Sequence, residues 1–315
     1  MLTVAALGVG SVIPAQTAVN SRLRVSIGAP IPAAFISFFI AFVCAVVLAL
    51  ALSFTTGPSI DLTRASGEPW WVWIGGVMGV IFITGNVILF PKIGSVETVV
   101  LPILGQVVMA LVIDNFGLFG ATHDRVGLLR VLGAGVVLAG IVLVHVVGRA
   151  AGSANSAATA DEPPETLSTW AWRAFGVFMG ICSAAQTAAN GYLGEVLGSS
   201  IQAGAVNLGV GVILLFLLCL VFTDSRTALL SGVEPGPWWM WLGGVFGAIF
   251  VIGAATLSPL IGTGATVVGI LAGTILAGQV IERFGLFGAP RSVLQPVRIL
   301  GLLLVFAGAV VVRVL

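Results

Sequence analysis

Apolar residues fill this chain in runs of about twenty, and short segments rich in polar residues, glycine or proline separate the runs. A helix rises 1.5 Å per residue, so about twenty apolar residues cross a ~30 Å hydrocarbon core. The pattern therefore predicts ten membrane-spanning helices. Their approximate bounds are 2–20, 30–54, 70–90, 95–113 and 126–147 in the first half and 170–190, 199–222, 238–258, 262–281 and 293–312 in the second.

Two predicted helix breaks and one linker organise these spans. Proline and glycine at 91–94 separate the third span from the fourth, and a similar segment at 258–262 divides a charge-free stretch too long for one helix. Between 148 and 168 the composition changes to alanine, serine, threonine, proline and acid, which is typical of a flexible linker. The predicted units are a first five-helix repeat at 1–147, the linker at 148–168 and a second repeat at 169–315.

The two halves repeat the same motifs in register. Five spans per half is an odd number, so the two copies must enter the membrane with opposite orientations. Such inverted repeats are common among secondary transporters, whose substrate path lies at the repeat interface. The matching motifs are 15–20 with 185–190 at an offset of 170, and 70–76 with 238–244 and 116–120 with 284–288 at an offset of 168.

Composition and charge narrow the function classes. Hydrophobic residues make up 58% and charged residues 8% of the chain, against about 25% charged residues in soluble domains, so this is an all-α integral membrane protein. A net charge of +1 offers no basic patch for nucleic acid. The three cysteines and two histidines lack metal-ligand spacing, and neither an ATP-binding motif nor a set of catalytic residues is visible. We therefore expect no cofactor and no enzymatic activity.

Basic residues are unevenly distributed between the predicted loops. The odd-numbered connections and their flanks hold nine lysines and arginines, whereas the even-numbered connections and the C-terminus hold four. The positive-inside rule then predicts that the odd connections and the linker are cytoplasmic and that both termini are outside.

The duplicated motifs also resemble a known family. Gln-Thr-Ala-x-Asn, Trp-Trp-x-Trp-x-Gly-Gly and Phe-Gly-Leu-Phe-Gly each occur twice, and together they resemble the YdcZ-like branch of the drug/metabolite transporter superfamily across all but the linker. The resemblance implies a ten-helix, inverted-repeat transporter that moves small metabolites or toxic compounds, often outward, across the cytoplasmic membrane. It also implies cytoplasmic termini, which is the opposite of the charge count.

Polar residues inside the predicted spans are the candidate substrate-binding residues. The two carboxamides of each duplicated motif are four residues apart and therefore share one helix face. Carboxamides in a membrane either join helices through hydrogen bonds or line a cavity, and both readings stay open here. Gly75-x-x-x-Gly79 and Gly243-x-x-x-Gly247 fit a small-residue packing pattern. The candidates are the symmetric set Gln16, Asn20, Gln186 and Asn190, and the asymmetric set Asn86, Gln106, Asn207 and Gln279.

Glu97 is the candidate ion-coupling residue, because it is the one acid predicted well inside a span rather than at its end. An ionised carboxylate near hydrocarbon needs a partner, a cavity or a proton. Glu97 either exchanges a proton during transport or lies at the interface within reach of Lys92. Asp114 and Glu282 end their spans and are interpreted as interfacial anchors.

The leading hypothesis is a secondary transporter that exports a small organic metabolite or toxic compound by alternating access. Its expected partners are the small-molecule substrate, the lipid bilayer and protons as coupling ion, and a homodimer is compatible with the sequence. The alternatives are a membrane-embedded lipid-modifying enzyme, which would need clustered catalytic residues, and a non-transporting accessory subunit, which would show no solute flux.

Overall fold

A computed structural model describes residues 1–55, 59–121, 123, 127–143 and 167–289, together with 300–301, 303–305, 307–308 and 311. Every regular element in these ranges is helical. Most of the predicted linker, residues 148–166, lies outside them, as does much of the predicted tenth span. The α-helices are α1 (Leu2–Ile27), α2 (Pro30–Ser53), α3 (Gly75–Phe116), α4 (Leu128–Val142), α5 (Leu167–Leu197), α6 (Ser200–Val221), α7 (Thr223–Ser231), α8 (Leu242–Ile261) and α9 (Thr263–Phe284).

The duplicated carboxamide helices, α1 and α5, extend beyond their predicted ends. Each continues past its Asn and ends only at a glycine in the left-handed region, Gly28 with φ 81° and Gly198 with φ 67°. A left-handed glycine is a frequent helix terminator because it has no Cβ to clash. The apolar pattern marks where hydrocarbon ends, whereas the glycine marks where the helix ends.

The predicted break at 91–94 is wrong as a helix end. The structure assigns one helix, α3, across this segment, where the sequence predicts two spans. Proline removes one backbone donor and bends a helix without having to end it, and Pro14 and Pro259 also lie inside helices. In the second half the helix does end, at Gly262, whose φ of 82° takes the chain out of helical geometry.

Six helical segments of the described chain are long and apolar enough to cross a membrane. Shorter apolar helices cover Gly75–Gly85 and Leu128–Gly140. Helix α5 is long enough, but Arg173, Gln186 and Asn190 lower its hydropathy. The six are Leu2–Ile27, Pro30–Ser53, Glu97–Phe116, Ser200–Val221, Trp238–Ile261 and Thr263–Phe284.

Close contacts between the halves occur in equivalent pairs. A Cβ added at Gly10 of α1 would lie 2.7 Å from the carbonyl carbon of Ile270 on α9, and one added at Gly180 of α5 would lie 2.7 Å from that of Pro102 on α3. Gly180 follows Gly10 by 170 residues and Ile270 follows Pro102 by 168, the offsets of the sequence repeat. Helix α1 of the first half therefore packs against α9 of the second, and α5 of the second half packs against α3 of the first. Two further sets of contacts match in the same way. The contact of Gly273 with Leu7 is equivalent to that of Gly105 with Val177, and the contact of Gly140 with Gly301 is equivalent to that of Gly308 with Gly133.

The connectors after α3 and α9 also share their conformation. Phe119 and Phe287 both have positive φ, 55° and 54°, which is uncommon for a residue with a Cβ. Each phenyl ring meets a tryptophan edge-on, Trp71 at 5.4 Å between centroids and Trp239 at 5.7 Å. The motif duplication is thus matched by a duplication of local backbone and side-chain structure.

Candidate transport site

Three carboxamides of the second half form a buried cluster. Gln186 and Asn190 lie on α5, and Asn207 lies on α6. The Gln186 Nε2 group donates to Asn207 Oδ1 at 3.1 Å, and the three residues are 9%, 3% and 1% exposed. The spacing of Gln and Asn by one helical turn therefore does place both on one face, directed into the protein rather than into lipid.

Glycines of the first half form the opposite wall of this cluster. A Cβ added at Gly79 of α3 would lie 2.9 Å from Gln186 Nε2, and one added at Gly75 would lie 2.7 Å from Asn207 Oδ1 and overlap Asn190 Oδ1. The small-residue pattern is therefore a surface against which carboxamides pack. Any side chain at these two positions would displace the amides.

The first-half carboxamides form an equivalent cluster against the second half. A Cβ added at Gly247 of α8 would lie 2.8 Å from Gln16 Nε2, and one at Gly243 would overlap Asn20 Oδ1 and lie 3.4 Å from Ser37 Oγ. Ser37 precedes Asn207 by 170 residues, so the two clusters have the same plan with one substitution.

Both clusters contain buried polar atoms without a hydrogen-bond partner among the described residues: Asn20 Oδ1, Ser37 Oγ, Asn190 Oδ1 and Asn207 Nδ2. An unsatisfied buried polar group costs about 1–3 kcal/mol. These atoms can therefore form hydrogen bonds with a polar solute without first breaking hydrogen bonds within the protein. The two clusters present neutral groups to a solute: amide donors, amide acceptors and a hydroxyl.

The symmetric carboxamides lie in two separate clusters. The contacts of Gln16 and Asn20 run to α8, those of Gln186 and Asn190 run to α3 and α6, and α1 and α5 share no extensive packing in the described part of the chain. Asn207 joins the second cluster.

The other asymmetric candidates lie elsewhere. Gln106 is buried on α3 where that helix crosses α5, and its backbone nitrogen would lie 2.8 Å from a Cβ at Gly180. Gln279 lies on α9, with a buried Oε1 that has no partner among the described residues. Asn86 falls on α3, but its side chain is outside the described part of the structure.

Glu97 forms a two-point ion pair with Arg173 across α3 and α5. Arg173 Nε donates to Glu97 Oε2 and the Arg173 terminal nitrogen donates to Oε1, both at 2.8 Å. The Glu97 side chain is 36% exposed, and the guanidinium lies 4.9 Å from the Trp170 ring centroid. Lys92, the partner suggested by sequence, lies over the Trp172 ring instead, at 5.8 Å. Bidentate pairs of this kind are among the stronger and more geometrically specific ones.

Asp114 is the residue whose environment the sequence interpretation missed. The residue is only 4% exposed, so it is no interfacial anchor. Its two oxygens accept the backbone N–H groups of Thr263 at 2.8 Å and Gly264 at 2.7 Å, at the start of α9. The helix break predicted near Gly262 is the one sequence feature that indicates such a contact, because the first N–H groups of a helix that starts there need an acceptor.

These features define a class: a multi-helix integral membrane protein whose halves bury equivalent carboxamide–glycine contacts. A family model described as "Putative inner membrane exporter, YdcZ" matches residues 1–143 and 171–311. The chain belongs to this family, which confirms the resemblance drawn from the motifs, and it is a multi-pass protein of the inner membrane.

Solved structures agree with the fold. A structure titled "Crystal structure of protein" aligns over 98% of this chain and 94% of its own, with a TM-score of 0.65 and 17% identity. At that identity the likeness concerns the fold alone. No curated protein matches the chain.

Proposed function

We propose that this protein is a secondary transporter that exports a small organic metabolite or toxic compound by alternating access between two inverted repeats. The observation that carries the proposal is the matched pair of carboxamide clusters, each built by one half against glycines of the other. Alternating access requires two equivalent interfaces between the halves, because one interface can open while the other closes. The exporter family supports the outward direction.

The substrate contacts are proposed to be the carboxamides of the two clusters, with the remaining intramembrane amides along the path. Among the described residues, each cluster has one unsatisfied amide acceptor; the first also has an unsatisfied hydroxyl, and the second an unsatisfied amide donor. A solute that offers complementary groups would replace the carboxamide–glycine contact as the helices separate. The glycines allow that separation because they leave no interlocking side chains behind.

The test is solute flux through purified protein in liposomes, with the solute chosen by ligand-dependent thermal stabilisation across a metabolite library. A transporter moves the stabilising solute across the bilayer, and liposomes without protein do not. An accessory subunit would show no flux with any stabilising solute. A lipid-modifying enzyme would change the composition of the liposome lipids, which is measured in the same samples.

Glu97 is the proposed ion-coupling residue from the sequence, and its substitution gives a sharp prediction. We expect Glu97→Gln to flatten the pH dependence of flux while ligand binding persists, because glutamine keeps the shape of the side chain but cannot carry the exchanged proton as a carboxylate does. The measurement is flux at a series of pH values, with binding followed by thermal stabilisation. The matched control is Arg173→Gln, which breaks the same ion pair and leaves the acid. Wild-type pH dependence in Glu97→Gln would make Glu97 a structural partner of Arg173.

A further inference from the structure

A buried carboxylate between the two halves has no role in the function proposed above. Asp114 ends its own span in the first half, yet both its oxygens are bonded to the first N–H groups of a second-half helix. A carboxylate this buried is stabilised by such bonds, and each depends on its acting as an acceptor. Protonation places a hydrogen on one carboxylate oxygen, which then acts as a donor. The hydrogen bond from that oxygen to its N–H group at the start of α9 is weakened.

A path of hydroxyl groups connects this carboxylate with the surface. Thr263 donates its backbone N–H to Asp114, its side chain interacts with the same carboxylate, and its Oγ1 lies 3.2 Å from Ser258 Oγ. Ser258 lines a small open pocket of about 230 Å³, counting the space at its mouth. The other lining residues are Gly120, Ala121, Ala188, Tyr192, Glu195 and Pro259.

Charged groups of two other helices flank this path, and Glu68 accepts a hydrogen bond from the pocket residue Tyr192 at 2.7 Å. Arg130 of α4 interacts electrostatically with Asp114 from one side. Glu195 of α5 lines the pocket. Helix α9 faces the carboxylate with the backbone N–H groups of Thr263 and Gly264, and the Ser258 hydroxyl of α8 lies next to Thr263 Oγ1. The path therefore runs from an acid at the pocket, through two hydroxyls, to a buried acid held between the halves.

The complete set of groups occurs at only one of the two equivalent positions of the repeat. Glu282 is the residue equivalent to Asp114, at an offset of 168, but the equivalent of Ser258 is Phe90, which has no hydroxyl. The first half thus supplies the buried acid, and the second half supplies both the relay and the helix that the acid holds. This asymmetry makes Glu282 a matched control.

We propose that Asp114 is a proton-binding site, reached from the pocket through Ser258 and Thr263, whose protonation loosens the junction between the first half and α9. A proton entering at the pocket passes to Ser258 Oγ, which gives its own proton to Thr263 Oγ1, and Thr263 gives its proton to the carboxylate. The reverse sequence returns the proton. Coupling of this site to transport, beside or in place of Glu97, rests on the proposed function, whereas proton binding does not.

Infrared spectra recorded across a pH titration of the purified protein test the site without any transported solute. The acid form has a carboxyl band that the carboxylate lacks, so Asp114→Asn should lose one titrating band relative to wild type. The same band should persist in Glu97→Gln and in Glu282→Gln. Spectra of Asp114→Asn that equal those of wild type, over the range in which both stay folded, would overturn the proposal.

Two further variants cover misfolding and the path. If Asp114→Asn does not fold, Asp114→Glu keeps the acid but lengthens it by one methylene, so the band should titrate at a different midpoint; an unchanged midpoint contradicts the proposal. Ser258→Ala should keep the band and slow its isotope shift on transfer to deuterium oxide. An isotope shift at the wild-type rate would rule out the hydroxyl path. Solute flux in these variants is measured separately, so failure of transport is not confused with failure of proton binding.

Discussion

Replacing Gln16 and Gln186 with leucine together is expected to reduce solute flux by about tenfold or more while the protein still inserts and folds. Interhelical hydrogen bonds in membranes contribute about 0.6 kcal/mol on average and at most about 1.7. Two such bonds to a solute therefore amount to about 1.2–3.4 kcal/mol, and 1.4 kcal/mol is about tenfold. Leucine has nearly the volume of glutamine, so packing against Gly247 and Gly79 is retained.

The matched control for this double variant lies one residue further along each helix. Thr17 and Thr187 bond to carbonyls of their own helices, Ile13 at 2.9 Å and Ser183 at 3.1 Å. Replacing both threonines with valine removes two polar groups without touching the carboxamide clusters, and flux should stay near wild type. Equal flux in the two double variants would leave the glutamines with a packing role only.

Alanine at Gly10 or Gly180 is expected to destabilise the folded protein by about 1–3 kcal/mol, and alanine at both by more. The added methyl at each position would overlap a backbone carbonyl of the opposite half, which cannot rotate away as a side chain could. The helices must then separate along their crossing. Thermal unfolding of purified protein measures the loss.

Gly8 provides the control on the same helix. A Cβ there meets nothing within 4 Å, and alanine favours the helix over glycine by roughly 0.5–1 kcal/mol. Gly8→Ala should therefore leave the unfolding temperature unchanged or raise it. A fall in unfolding temperature for Gly8→Ala as large as for Gly10→Ala would mean that the crossing does not depend on close backbone contact.

The sequence predicts helices and their faces better than it predicts which helices meet. The carboxamide spacing and the small-residue pattern were both visible, yet their contact was not, since a repeated motif does not specify its partner in the other half. The break at Gly262 was predicted, whereas the one at 91–94 was wrong, because proline alone bends a helix and a left-handed glycine ends it.

For charged residues too, the sequence does not show which helices they contact. Asp114 resembled an interfacial anchor because it ends an apolar run, and only the three-dimensional crossing with α9 makes it buried. Glu97 was recognised as unusual from its place inside a span. Its partner Arg173 is 76 residues away, at the start of another helix, and no local pattern connects the two.

Paired cysteine labelling tests most directly whether the two halves have opposite orientations in the membrane, as the proposed alternating access requires. Gly67 and Pro235 are exposed, equivalent loop positions, 168 residues apart. With the three native cysteines replaced by serine, a single cysteine is placed at one position or the other, and an impermeant thiol reagent is added to intact cells. A permeant reagent serves as the positive control for both.

Inverted repeats predict that only one of the two positions is labelled from outside. The distribution of basic residues predicts that this position is Gly67→Cys, whereas the family resemblance predicts Pro235→Cys, so the same measurement decides the sidedness. Labelling of both positions from outside, or protection of both, would place the equivalent loops on one side of the membrane and contradict the inverted repeat on which the alternating-access proposal depends.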